Sequence, residues 1–167
     1  MGHIVRGLAL VAAMASGGAA CAGERPSGRN APNLAACRHI EPVQGTEIQR
    51  TGPLEVPPEF SGIMATDLTR IAISTLGGRT LCIDASWMDQ IIWPEVSADR
   101  RFVQFAWGGY ETAGHIVADR NGRGRHFDTG EKPVPSPSGR QLAVVQYSEA
   151  GFGSLEGFGA WDVSGKA

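Results

Sequence analysis

The sequence predicts an all-β fold: an open stack of two to three antiparallel blade-like sheets, or an incomplete (half) propeller. Three observations carry that reading. A strand-turn-strand unit is written twice, because Ser97 to Arg101 answers to Ser136 to Arg140 and Asp119 answers to Asp162, at offsets of 39 and 43 residues. Such offsets match the repeat length of blade-like sheets. Apolar residues come in short, strand-length blocks closed by Gly, Asn, Ser and Pro. No segment repeats them at i, i+3, i+4 and i+7 over three turns, so no long amphipathic helix competes.

Residues 1–22 stand apart from the fold. Arg6 is a thin basic lead, Leu8 to Ala15 a short apolar run, and Ser16 to Ala22 a tail of small residues. The run is about half of the roughly 20 residues that a membrane span needs, so a signal peptide is expected rather than a transmembrane helix. Two cleavage readings compete. One cuts after Ala20-Cys21-Ala22; the other makes the chain a lipoprotein anchored at Cys21, although Gly18 then occupies a position that usually holds a large aliphatic residue. The first gives a periplasmic or secreted protein, the second one held at a membrane by lipid.

The chain has 15 Lys and Arg against 17 Asp and Glu, a net charge of −2. That balance leaves no footprint for nucleic acid or an anionic membrane surface. Cleavage before Gly23 would leave Cys37 and Cys82, an even pair in an oxidising compartment, and a disulfide between them is expected. Such a bridge closes a loop of about 45 residues, worth roughly 4 kcal/mol of chain entropy. With no C-x-x-C pair and no His at ligand spacing, a structural zinc site is not expected.

Along the chain, residues 23–45 form a flexible N-terminal segment, polar and rich in Pro and Gly up to Asn33. Residues 46–167 form a single β domain. Gly52 to Pro58 suits an extended edge and no helix. Arg70 to Ser74 and Thr80 to Asp84 flank Gly77-Gly78, the turn chemistry of a hairpin. Ser86 to Asp89 resembles a capping box with room for a single helical turn. Two blade-like repeats follow, over residues 91–130 and 131–165. The runs around Phe102 to Trp107 and Leu142 to Tyr147 suit inner strands covered on both faces. Gly114 to Asp119 and Arg125 to Asp128 read as a hairpin around Asn121-Gly122, and Gly108 to Gly114 and Ser148 to Gly157 as long loops.

Ser136-Pro137-Ser138-Gly139-Arg140 leading into Gln141 to Val145, followed by Ala160-Trp161-Asp162-Val163, resembles the blade signature of Tol-B-like and WD-type β-propellers. In that signature a turn reading S-P-D-G-R enters an apolar strand and a later strand ends in W-D or a similar pair. Here Ser138 replaces the aspartate, and the first copy reads Ser97-Ala98-Asp99-Arg100-Arg101. The stretch is also similar to small secreted bacterial proteins of unassigned function. The resemblance implies blade-like sheets and is silent on activity, because propellers host binding, scaffolding and catalysis alike. Closure needs at least four blades of about 40 residues. Only about 110 residues follow the Pro-rich stretch, so the sheets are expected to leave an open edge.

Chemistry is sparse. There is no G-x-S-x-G, no H-E-x-x-H and no G-x-x-x-x-G-K-[ST]. Gly151 to Gly157 spaces its glycines as G-x-G-x-x-x-G without the strand and helix of a dinucleotide site. If Asn121-Gly122 is a two-residue turn, His115 lies opposite Asp128 and Val117 opposite His126. One face then gathers His115, His126 and Asp128, a candidate metal set or acid–base pair. Trp107, Tyr110, Phe152 and Phe158 fall in or near the expected loops and are candidate anchors for a partner. The reading is an exported, non-catalytic binding or assembly protein of the bacterial envelope, acting through an open sheet edge or aromatic loops. Its partner would be a second copy or an envelope protein, and no cofactor is expected. The alternative is a small secreted hydrolase or metal-dependent enzyme using the His/Asp face.

Overall fold

The computed structural model describes residues 31–43, 48, 50–147, 151 and 153–165; residues 1–22, expected to be a signal peptide, and the expected tether up to residue 30 lie outside the described residues. The strands in chain order are β1 (Met64–Thr66), β2 (Arg70–Ser74), β3 (Thr80–Asp84), β4 (Gln90–Val96), β5 (Phe102–Gly109), β6 (Thr112–Asp119), β7 (Arg125–Asp128), β8 (Val134–Pro135), β9 (Gln141–Gln146) and β10 (Gly157–Asp162). They form three antiparallel meanders, β1-β2-β3, β4-β5-β6-β7 and β8-β9-β10. None closes on itself. The fold is all-β, an open stack with the four-stranded sheet in the middle. Among the described residues its helical pieces are two 3-10 turns, Leu34–Cys37 and Pro58–Phe60. No helix among the described residues is long and apolar enough to cross a membrane.

Strand alternation builds the stack. Successive side chains leave a strand on opposite faces, and in the middle sheet both faces are covered. Val103, Phe105 and Trp107 of β5, with Ile116 and Ala118 of β6, pack against Met64, Ile71, Ile73, Leu81 and Ile83 of the first sheet. The other face sends Val117 and Phe102 toward Leu142, Trp161 and Val163 of the third sheet region. One hairpin therefore serves two cores.

Two consecutive charged residues at the end of β6 clamp the neighbouring sheets. Asp119 is fully buried and takes a bidentate pair from Arg101, Nε to Oδ1 at 2.9 Å and Nη2 to Oδ2 at 2.7 Å. The same Arg101 Nη2 donates to the carbonyl of Val163. Hydrogen bonding to Asp119 raises the Arg101 pKa. Arg120, also buried, turns to the first sheet and donates to the Ser74 carbonyl at 2.6 Å, with further bonds to Ser74 Oγ and the Arg100 carbonyl. Burial lowers its pKa, and Arg100 adds to the shift.

The outer face of the first sheet is capped. The expected bridge is present: Cys37, buried in the first 3-10 turn, is joined to Cys82 of β3 with a Cα–Cα distance of 5.3 Å. Cys82 pairs with Ala72, which is itself fully buried. Asn33 caps the turn by accepting from the Ala35 amide, and its own amide donates to Thr80 Oγ1. The Val43 amide donates to Asp84. Within the segment expected to be flexible, residues 34–43 thus lie on β2 and β3, held by the disulfide and these bonds.

Three local expectations need correction. Gly108 to Gly114 is not a loop: β5 runs through Gly109, β6 begins at Thr112, and only Tyr110-Glu111 turns. Its glycines serve close packing, since a Cβ on Gly109 would strike the Trp87 carbonyl and one on Gly114 the Trp107 ring. The Asn121-Gly122 hairpin is wider than two residues, with Asp119 opposite Arg125. Ser86 to Asp89 forms a turn without a helix, and Ser86 Oγ is buried with no hydrogen-bond partner among the described residues.

Removing one member of a buried ion pair strands the other. Arg101→Ala should destabilise the protein by about 3 kcal/mol in urea unfolding, the low end for such a loss because Arg125 remains near Asp119. The double substitution Cys37→Ser with Cys82→Ser should cost up to about 4 kcal/mol, read the same way.

Candidate functional site: the uncovered face of the third sheet

The third sheet is entered through a turn whose bonds match those of the turn entering β5. The Ser97 amide donates to the Phe102 carbonyl, the Phe102 amide to Ser97 Oγ, and the Arg100 amide to the Ser97 carbonyl. Likewise the Ser136 amide donates to the Gln141 carbonyl, the Gln141 amide to Ser136 Oγ, and the Gly139 amide to the Ser136 carbonyl. Arg100 and Gly139 both hold left-handed φ, 59° and 65°. Two turns closed alike launch their strands with the same pleat parity.

That parity decides which residues are covered. Leu142, Val144 and Gln146 of β9 are buried toward the middle sheet, as Val103, Phe105 and Trp107 are toward the first. The opposite, forward face of the middle sheet is covered by the third. On the third sheet no described residue covers the forward face. Val145 lies opposite Phe158, and Ala143 lies between Val134 and Ala160. Val134 and Val145 are 70% exposed, Phe158 71% and Tyr147, next in the alternation, 80%. Behind them Trp161 lies across Gly159, where a Cβ would meet the indole.

The sheet is anchored at both ends. Besides the Arg101–Val163 bond, Ser154 Oγ donates to Asp128 at 2.7 Å and the Ser154 amide to the Ala113 carbonyl. The Leu155 amide donates to Gln146 Oε1 at 2.9 Å. The bare face therefore belongs to an ordered element.

Edges are less available than this face. β4 carries a bulge at Trp93-Pro94 and β8 has two residues, one of them Pro135. Both devices discourage edge pairing. β10, six residues without Pro, is the longest edge so left and borders the bare face.

Of the predicted aromatic anchors, Trp107 is only 3% exposed and packs edge-on against Trp87 in the first core, so it cannot meet a partner. Tyr110 is exposed at the β5–β6 turn and Phe158 on the bare face; Phe152 lies outside the described residues. Sequence reasoning missed Val134, Val145 and Tyr147, although Val145 and Tyr147 stand at alternate positions of a strand read as covered on both faces. It also missed Trp93, 82% exposed and held at φ 46° in the β4 bulge. A positive φ at a bulky residue before proline is costly backbone, and nothing in the sequence around it signals that conformation.

The metal set is not assembled. His126 lies opposite Ala118 and Asp128 opposite Ile116, so both share one face of the hairpin while His115 lies on the other. The reason is a one-residue shift. The Arg120 amide is bound to Arg101 and its carbonyl accepts from Leu76, so Arg120 cannot pair with Arg123. Among the described residues no three His, Cys, Asp or Glu side chains gather closely enough to hold a metal. A polar cleft of about 490 Å³ lies between Arg50, Glu55 and Asp89. The Arg50 guanidinium there is spent on the carbonyls of Leu68, Ala85 and Met88.

Comparison with known proteins returns no matching family model, no similar curated protein and no similar solved structure.

His115 is buried against Thr129, with Nδ1 3.4 Å from Oγ1. Burial lowers its pKa, Lys132 adds to the shift, and Glu95 and Asp128 oppose it. The unfolded chain takes up this proton near the ordinary 6.5 and the folded chain only at lower pH. Between those values the unfolded state binds more protons, so stability falls as the pH drops from 6.5 to the folded pKa. Urea titrations at about pH 7 and about pH 5.5 should show a smaller acid loss in His115→Asn than in the parent.

Proposed function

We propose that the protein is an exported, non-catalytic binding or assembly protein of the bacterial envelope that docks its partner on the forward face of the third sheet. The observation that carries this reading is the bare apolar row of Val134, Val145, Tyr147 and Phe158 on a sheet whose other face is buried. Exposed apolar surface that is contiguous and held on an ordered element marks an interaction site. Export is supported by the pattern of residues 1–22 and by the Cys37–Cys82 bridge, a bond that persists in oxidising compartments. Descent from a duplicated blade is supported by the matching bonds of the Ser97 and Ser136 turns.

The test is capture from an envelope extract by the protein and by its Tyr147→Arg, Phe158→Arg double variant. Both positions are exposed, so the variant should keep its melting behaviour, with a stability change within about 0.5 kcal/mol. Its captured partners, other copies of the chain included, should be lost. Retention of every partner by the folded variant would falsify the proposed face.

A further inference from the structure

We infer that the occupant of the forward face is a second copy of the chain, packed face to face about a two-fold axis. This rests on reading that face as a docking surface and adds which partner fits it. Three features of the molecule converge on that occupant.

The first is area. Tyr147 at 80%, Phe158 at 71%, and Val134 and Val145 at 70% exposure leave on the order of 500 Å² of apolar surface open, given about 150–250 Å² for each aromatic side chain. A standard interface covers about 800 Å² per partner, and a homodimer interface is about 65% apolar, which requires about 500 Å². The face supplies what a symmetric pair needs.

The second is charge. Arg140 and Asp162 occupy the positions on the third sheet that Arg101 and Asp119 hold on the middle one: each Arg precedes its inner strand, and Asp162 lies opposite Gln141 as Asp119 lies opposite Phe102. Asp119 is buried beneath the next sheet, whereas Arg140 and Asp162 are both exposed. One cation and one anion on one border are self-complementary across a two-fold axis, where residue i meets j and j meets i. Two identical twisted sheets can pack in this way, face to face with their mean strand directions within about 30° of each other.

The third is closure. A head-to-tail contact between the two ends of the stack would set the forward face of one copy on the outer face of the first sheet of another, and would build a ring or a filament rather than a pair. The disulfide-held turn at Leu34–Cys37 already covers that outer face. With that outer face occupied, the forward face of one copy is left to meet the forward face of another, and such a contact stops at two copies.

The experiment is light scattering after size exclusion over a hundredfold range of concentration, on the purified protein and on single Tyr147→Arg and Phe158→Arg variants, with binding of an apolar fluorescent dye read on the same samples. The expected result is twice the chain mass for the parent, with weak dye binding. Each variant should run at the chain mass with unchanged melting. A parental dimer that survives both substitutions would place the contact elsewhere and overturn the inference. A parent of chain mass that binds dye strongly, with binding lost in the variants, would also overturn it while leaving the face as a docking site for another partner. A parent of chain mass that binds no dye would overturn both readings. Masses above two copies would overturn the closure.

Discussion

The fold turns on two neighbours in sequence, Asp119 and Arg120, that point to opposite sides of one sheet. Adjacent strand residues must diverge in this way, and here both directions lead into protein. Asp119 draws Arg101 into the layer below the third sheet, and Arg101 carries the contact on to the carbonyl of Val163. Arg120 crosses to the first sheet and satisfies Ser74. Buried charge is costly unless it is paired and hydrogen-bonded, and the bonds these two residues make tie the middle sheet to a named atom on each neighbour. Apolar contact would hold the sheets together without specifying how they sit. The ionic and polar bonds at this point add that specification.

A stack that does not close has two ends, and the chain treats them differently. At one end the first sheet is covered by the short turn at Leu34–Cys37, which is held by the bridge to Cys82 and by hydrogen bonds from Asn33 and Val43. At the other end Val134, Val145, Tyr147 and Phe158 face outward with nothing from the described residues upon them. The asymmetry has a structural origin. The Ser97 and Ser136 turns send their strands out with one parity, so each sheet presents the same face backward and the same face forward. The middle sheet uses both, and the third has only its backward face in use.

Much of this was legible in the sequence. The Gly77-Gly78 turn set the β2–β3 hairpin, the even cysteine pair set the cap, and the spaced Ser, Gly and Arg residues of the two turns marked where β5 and β9 begin. What failed was local reasoning at places governed by distant contacts. Asn121-Gly122 favours a two-residue turn, yet both backbone groups of Arg120 are claimed by Arg101 and Leu76, and the loop widens to meet them. That single step moved His115 and His126 to opposite faces and dissolved the metal set. Trp107 ends an inner-strand run and borders Gly108 to Gly114, a stretch that reads as a loop, but its glycines admit Trp87 and Trp107 themselves at close range. Turn propensity is a short-range signal, whereas glycine that makes room for a neighbour is visible only once the neighbour is in place.

The same distinction bears on how the open end should be read. An apolar run with strand spacing, such as Leu142 to Tyr147, is the pattern of a strand covered on both faces, and β5 answers to that pattern because sheets flank it on either side. β9 carries the pattern with one flanking sheet. Either its outward residues are apolar without consequence, or they are apolar because the position is covered in the working protein. The neighbouring residues favour the second alternative. Gln141 and Asp162 bring polar groups to one border, while Val145, Tyr147 and Phe158 concentrate apolar area away from it. Solvent alone requires no such division within a single sheet face. The apolar area lies at one end of the face and the polar groups at the other, and the face is placed where the stacking rule of the other two sheets would set the next layer.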